Sequence, residues 1–132
     1  MAVLEPRGIK LMAKSRTNPD FLNGVPELVM LQLLARRPMY GYELVEAIRE
    51  STDQALSFSE GCVYPVLHRL EAEGKLAASR EVVNGRSRVV YRVTESGWKG
   101  LVQAVAEWRL VARAVQQIVK GDDHGRTVFA VT

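Results

Sequence analysis

Cysteine occurs once, at Cys62, so no disulfide can form within the chain and a reducing compartment, the cytoplasm, is the expected setting. Long apolar runs are also missing. Those present are short and interrupted, so none is expected to span a bilayer and no membrane partner is expected. The opening stretch MAVLEPRGIKLMAKSRTNPD has no uninterrupted apolar core and carries Glu5 and Pro6 early, which argues against a secretory signal. Metal-ligand clusters are absent too. Cys62 and His68 stand six residues apart, roughly 240° round a helix, so they cannot share an ion. His124 has only Asp122 and Asp123 beside it. No glycine-rich phosphate loop, paired-acid site or nucleophile elbow is found, so neither an enzyme nor a resident cofactor or metal is expected.

What is present suits one compact domain, or a small domain with an appendage: 132 residues, 47% hydrophobic and 25% charged. Residues 1–24 show no sustained period and read as a loosely ordered arm, mildly basic through Arg7, Lys10, Lys14 and Arg16. A helix is expected from Pro26, a good first-turn residue followed by Glu27, to a stop before Pro38. Its apolar residues leave almost no polar face, so both sides must be covered, which in so small a domain suggests a partner chain. The segment YGYELVEAIREST predicts a second helix buried through Leu44, Val45 and Ile48.

The third expected helix, SEGCVYPVLHRLEAEG at 59–74, is the most informative. Ser59 is suited to cap it, Ser57 with Glu60 being the alternative, and Gly74 to end it. Val63, Val66, Leu67 and Leu70 form its buried stripe. Gly61, Pro65, His68 and Ala72 fall opposite, flanked by Tyr64 and Arg69, and Pro65 predicts a loosened or late first turn. Two β-rich arms then flank Asn84-Gly85, a two-residue hairpin signal that sets Glu81 across from Arg88 and Val83 from Arg86. Thr94 is placed to cap a last helix fading near Lys120-Gly121. Trp98, Leu101, Val105, Trp108, Ala112, Val115 and Val119 recur along it at alternating spacings of three and four, the period of a coiled-coil seam.

Net charge is only +3, but it is unevenly spread: from Lys75 to Lys99 there are six basic residues (Lys75, Arg80, Arg86, Arg88, Arg92 and Lys99) against Glu81 and Glu95. A basic segment of this kind is a footprint for a polyanion. The expected fold is mainly α with a small β-hairpin: a winged helix-turn-helix over 25–93, a long C-terminal dimerisation helix over 94–120 and a tail over 121–132. The expected partner is double-stranded DNA. Its candidate contacts are Ser59, Gly61, Cys62, Tyr64, Pro65, His68 and Arg69 on the third helix, with Arg86 and Arg88 on the wing. The expected dimer contacts are Leu28 and Leu31 with the seam residues Trp98, Leu101, Val105, Trp108, Ala112, Val115 and Val119.

Three stretches resemble the signatures of the PadR family of winged-helix transcriptional regulators: MYGYELVEAI, SEGCVYPVLHRLEAEGKL and RVVYRVTESG, in that order. The resemblance covers about residues 26–110. It implies that Tyr64 and the start of the third helix meet DNA, that Arg86 and Arg88 belong to the wing, and that the terminal helices build a homodimer. The single last helix resembles the family's compact subgroup. Cys62 stands where the family often has threonine, and Trp98 where it is usually polar. Trp108 matches a tryptophan that in some compact members stacks on flat aromatic effectors at the dimer interface; the alternative, a dimer anchor only, is favoured because interfaces are rich in tryptophan anyway. The expectation is therefore a homodimeric repressor on a pseudo-palindromic operator, with a small-molecule effector as a further partner. The alternative is a winged helix used only as a protein-interaction module.

Overall fold

The computed structural model describes residues 18–121, with side chains from Gly24 onward. Seven elements follow in the order α1 (Asn18–Arg36), β1 (Met39–Tyr40), α2 (Gly41–Ser51), α3 (Glu60–Ala72), β2 (Leu76–Val83), β3 (Arg86–Val93) and α4 (Glu95–Gly121). This is the expected mainly helical winged helix with a long C-terminal helix. The basic positions Arg7, Lys10, Lys14 and Arg16, and the tail with His124, lie outside the described residues.

Helix α1 starts well before the expected Pro26. Pro19 falls in its first turn, where a missing amide costs no intrahelical bond, and Pro26 is accommodated inside the helix. Its apolar residues are covered by the chain itself. Met30, Leu31, Leu33 and Leu34 are buried among α2, α3, α4 and β3. Leu31, at 0% exposure, therefore has no surface to offer a second chain, which corrects its place among the expected dimer contacts.

Leu44, Val45 and Ile48 of α2 join Val63, Leu67 and Leu70 of α3 in that core, as their spacing predicts. The N–H of Tyr40 donates to Glu43 Oε1 at 3.2 Å at the start of α2. Ser59 is the cap of α3, its Oγ accepting from the Cys62 N–H at 3.3 Å. The start is not delayed by Pro65: the amides of Cys62 and Val63 both reach the Ser59 carbonyl, at 3.0 and 2.9 Å. At the other end Gly74, with φ +80°, lets the N–H groups of Gly74 and Lys75 return to the Glu71 and Leu70 carbonyls.

The hairpin has the expected register, Glu81 opposite Arg88 and Val83 opposite Arg86, around Asn84 and Gly85 at φ +52° and +80°. A third strand was not anticipated. Met39 and Tyr40 pair with Tyr91 and Val90, giving a sheet of order β1-β3-β2 that anchors the start of α2 to the wing.

Thr94 joins the wing to α4. Its Oγ1 accepts from the Gly97 N–H at 3.0 Å and donates to the Gly74 carbonyl at 2.6 Å. A Cβ at Gly97 would overlap the Lys75 carbonyl oxygen, so only glycine lets the first turn of α4 lie against the end of α3.

Candidate nucleic-acid interface

The outer face of α3 is low and open, as the wheel predicts: Gly61, Pro65, His68 and Ala72 are exposed, while Val63, Leu67 and Leu70 face the core. Cys62 is half-buried. Tyr64 is only partly available to a partner, because its ring packs over Gly41 where any side chain would collide with it. The neighbouring His68 ring lies 6.3 Å from that of Tyr64, centroid to centroid. The glycine at the head of α2 and the tyrosine of α3 are thus one feature: Gly41 has no side chain so that Tyr64 can lock α3 against α2.

Charge is sorted sharply across this surface. Arg69 lies exposed along the side of the body, bonding Glu27 Oε1 of α1 at 3.0 Å and Glu73 Oε2 at 3.3 Å. Burial opposes its charge, but the two carboxylates outweigh that and hold its pKa above the ordinary arginine range. Lys75 shares Glu27 and Glu73, at 3.2 and 3.5 Å. Arg69 is a brace between α1 and α3 more than a free donor for DNA. On the wing Arg92 pairs with Glu81, whose carboxyl is held below its ordinary range by the Ser79 hydroxyl and by Arg92. Arg80, Arg86 and Arg88 remain without a carboxylate partner among the described residues. These three form the uncompensated positive charge of the wing.

Their placements differ. Arg86 is exposed beside the turn, as expected. Arg88 is not at the tip: its guanidinium lies over the Tyr40 ring, 4.6 Å from the centroid, and its Nε is buried without a hydrogen-bond partner among the described residues. Arg80 donates to Ser87 Oγ at 3.2 Å. Arg80, Ser87, Arg88, Tyr40, Gly41 and His68 border a recess of about 280 Å³ between the wing and α3. Tyr40, Gly41 and Arg80 were not among the expected site residues; the two-residue strand that puts Tyr40 beside the wing is too short to read from a period.

A second surface lies along α4. Leu101 is buried within its own chain at 4% exposure and Val105 packs against the same core, which corrects Leu101 as a dimer contact. Trp98, Trp108, Val115 and Val119 are exposed, with Ala112 half-buried. Val111 and Ile118, absent from the expected seam, widen this apolar strip. Between α1 and α4 a groove of about 480 Å³ is lined by Leu28, Ala104, Trp108, Leu110 and Val111, with Glu27 and Glu107 as its carboxylates. Among the described residues no helix is long and apolar enough to cross a membrane, and no three His, Cys, Asp or Glu side chains converge to hold a metal.

Three helices, a basic wing and a shallow outward helix face define a winged helix-turn-helix of the nucleic-acid-binding type. The family model of the "Transcriptional regulator PadR-like family" matches residues 30–103, and the chain belongs to that family, whose members are transcriptional regulators and not enzymes. It is 31% identical over 105 residues to the transcriptional regulator Rv3488 of Mycobacterium tuberculosis, covering 80% of this chain and 92% of that protein. Among solved structures it is similar to a transcriptional regulator from Clostridium thermocellum, with TM-score 0.70, 30% identity and coverage of 76% of this chain and 98% of that one. It also resembles a PadR-like transcriptional regulator from Bacillus cereus, with TM-score 0.67, 27% identity and coverage of 78% and 99%.

Proposed function

We propose that the chain acts as a homodimeric repressor that binds a pseudo-palindromic operator, inserting α3 in the major groove and laying the wing along the adjacent backbone or minor groove. One observation carries this reading: Arg80, Arg86 and Arg88 of the wing lack carboxylate partners among the described residues, and Arg80 and Arg88 border the recess beside the open face of α3, while Arg69 and Lys75 are neutralised by Glu27 and Glu73. Ser59, Gly61, Cys62, Pro65 and His68 are the remaining groove-facing positions, with Tyr64 serving mainly to fix the helix. The exposed strip Trp108, Val111, Val115, Ile118 and Val119 supports pairing of two α4 helices, which would set the two reading heads one helical turn apart on the operator. The groove between α1 and α4 supports the further reading that a small aromatic effector stacks on Trp108 and releases the DNA.

The test is a mobility shift on the chain's own promoter region. Replacing Arg86 and Arg88 with alanine should weaken binding and flatten its salt dependence; undiminished binding at moderate salt removes the wing from the mechanism. The internal neutralisation of Arg69 is the observation that favours a second reading, a winged helix that binds protein only. The absence of any salt-dependent DNA binding would select it.

A further inference from the structure

We propose that the recess between the wing and α3 is a seat for one backbone phosphate of bound DNA, with Arg88 as its fork and Arg80 as its second cation; this rests on the DNA-binding reading above. Four features converge there. The recess is walled by Arg80, Arg88 and Ser87 from the wing, by His68 from α3, and by Tyr40 and Gly41 at the start of α2. Its lining holds no carboxylate. The nearest acid across the hairpin, Glu81, is taken by Arg92 and Ser79, which leaves Arg88 uncompensated. Gly41, the first residue of the 11-residue helix α2, lines the same space and presents no side chain to fill it.

Arg88 is also already positioned. Its position over the Tyr40 ring, 4.6 Å from the centroid, holds the guanidinium without consuming its hydrogen bonds, and its Nε is buried with no hydrogen-bond partner among the described residues. A planar guanidinium fork suits two oxygens of one phosphate, which a lysine at the same place would meet only as a point charge. The location fits the diester and not only a free ion. If α3 lies in one groove and the wing in the next, the sugar-phosphate ridge between the grooves must cross the space between them, where the recess lies. Arg88 is thus separated in role from Arg86, which stands exposed beside the turn and meets whatever the wing reaches.

The experiment compares full-length wild type, Arg88→Gln, Arg88→Lys, Tyr40→Leu and the double variant Tyr40→Leu/Arg88→Gln on one duplex across a salt series. Arg88→Gln should lower affinity on the order of tenfold and reduce the slope of log K against log salt by about one. Arg88→Lys should keep the slope and recover only part of the affinity. Tyr40→Leu removes no charge, yet should weaken binding roughly threefold through the lost stacking, and should add nothing once Arg88 is gone. A folded Arg88→Gln protein with wild-type affinity and slope overturns the proposal. If that variant does not fold, the Arg88 Nε–Hε NMR resonance of the wild type decides: a saturable shift with the duplex supports the seat, and no shift overturns it. Inorganic phosphate provides the other arm. A saturable response of that resonance to phosphate, with no duplex bound at any salt, overturns the diester occupant and the DNA-binding reading together. Duplex binding whose affinity and salt slope are unchanged when Arg88 is replaced overturns the seat alone.

Discussion

The two halves of α4 have the same repeat and opposite fates. From Glu95 to Val105 the helix lies on its own domain, with only Trp98 of the repeat left exposed: Thr94 caps it, Gly97 lets it approach Lys75, Leu101 is buried and Val105 packs against the core. From Trp108 onward the large apolar residues are exposed, 42% at Trp108, 52% at Val115 and 67% at Ile118. The helix of 27 residues is about 40 Å long, and the body ends before the helix does. A period of three and four therefore identifies a sticky face without saying whether the covering surface belongs to the same chain. The first helix teaches the converse. It too looked as though it needed a partner chain, and its own domain covers Leu31 completely.

The contrast can be broken at either half. Leu101→Ala, in the covered half, should cost ~2–5 kcal/mol of unfolding free energy, measured by denaturant titration. Val115→Glu combined with Ile118→Glu, in the open half, should leave the body folded by circular dichroism but raise a dimer dissociation constant roughly a hundredfold or more, seen by analytical ultracentrifugation. A double variant that unfolds the body would mean that the distal half is covered by its own chain. At the junction, Thr94→Ala should cost about 1 kcal/mol through the lost cap. The smallest effect belongs to the wing. The folded-state pKa of Glu81 is depressed by Ser79 and Arg92, so the contribution of this contact is complete above the ordinary carboxylate range and is lost as pH falls through the depressed value. The stability difference between wild type and Glu81→Gln should accordingly be greatest near neutral pH and vanish in acid, as followed by thermal melts at a series of pH values.

Much of the site was legible because its signals are local. The Ser59 cap, the Gly74 stop, the hairpin register around Asn84-Gly85 and the split faces of α3 each depend on a few neighbouring residues, and each stands as expected. Charge pairing was not legible. Arg69 and Arg88 look alike in the sequence, but Arg69 reaches Glu27, 42 positions away in the chain, whereas Arg88 finds an aromatic ring supplied by a two-residue strand. Nor could Tyr64 be known as a packing residue without the bare backbone of Gly41 beneath it. The early start of α1 was not legible because residues 1–24 show no sustained period, while Pro19 in the first turn of the helix breaks nothing.

The chain's residue order by itself determined the helices, their apolar stripes, the turn and the excess of basic residues over 75–99, since periodicity, caps and turn chemistry act within a few residues. Only the tertiary structure decided which cations are neutralised, which apolar stripe the domain covers for itself, and that Arg88 leans on Tyr40 toward a recess instead of standing at the tip of the wing. Those outcomes depend on which distant residues share space, and a carboxylate or a ring changes the character of an arginine only when folding brings the two within a few ångströms.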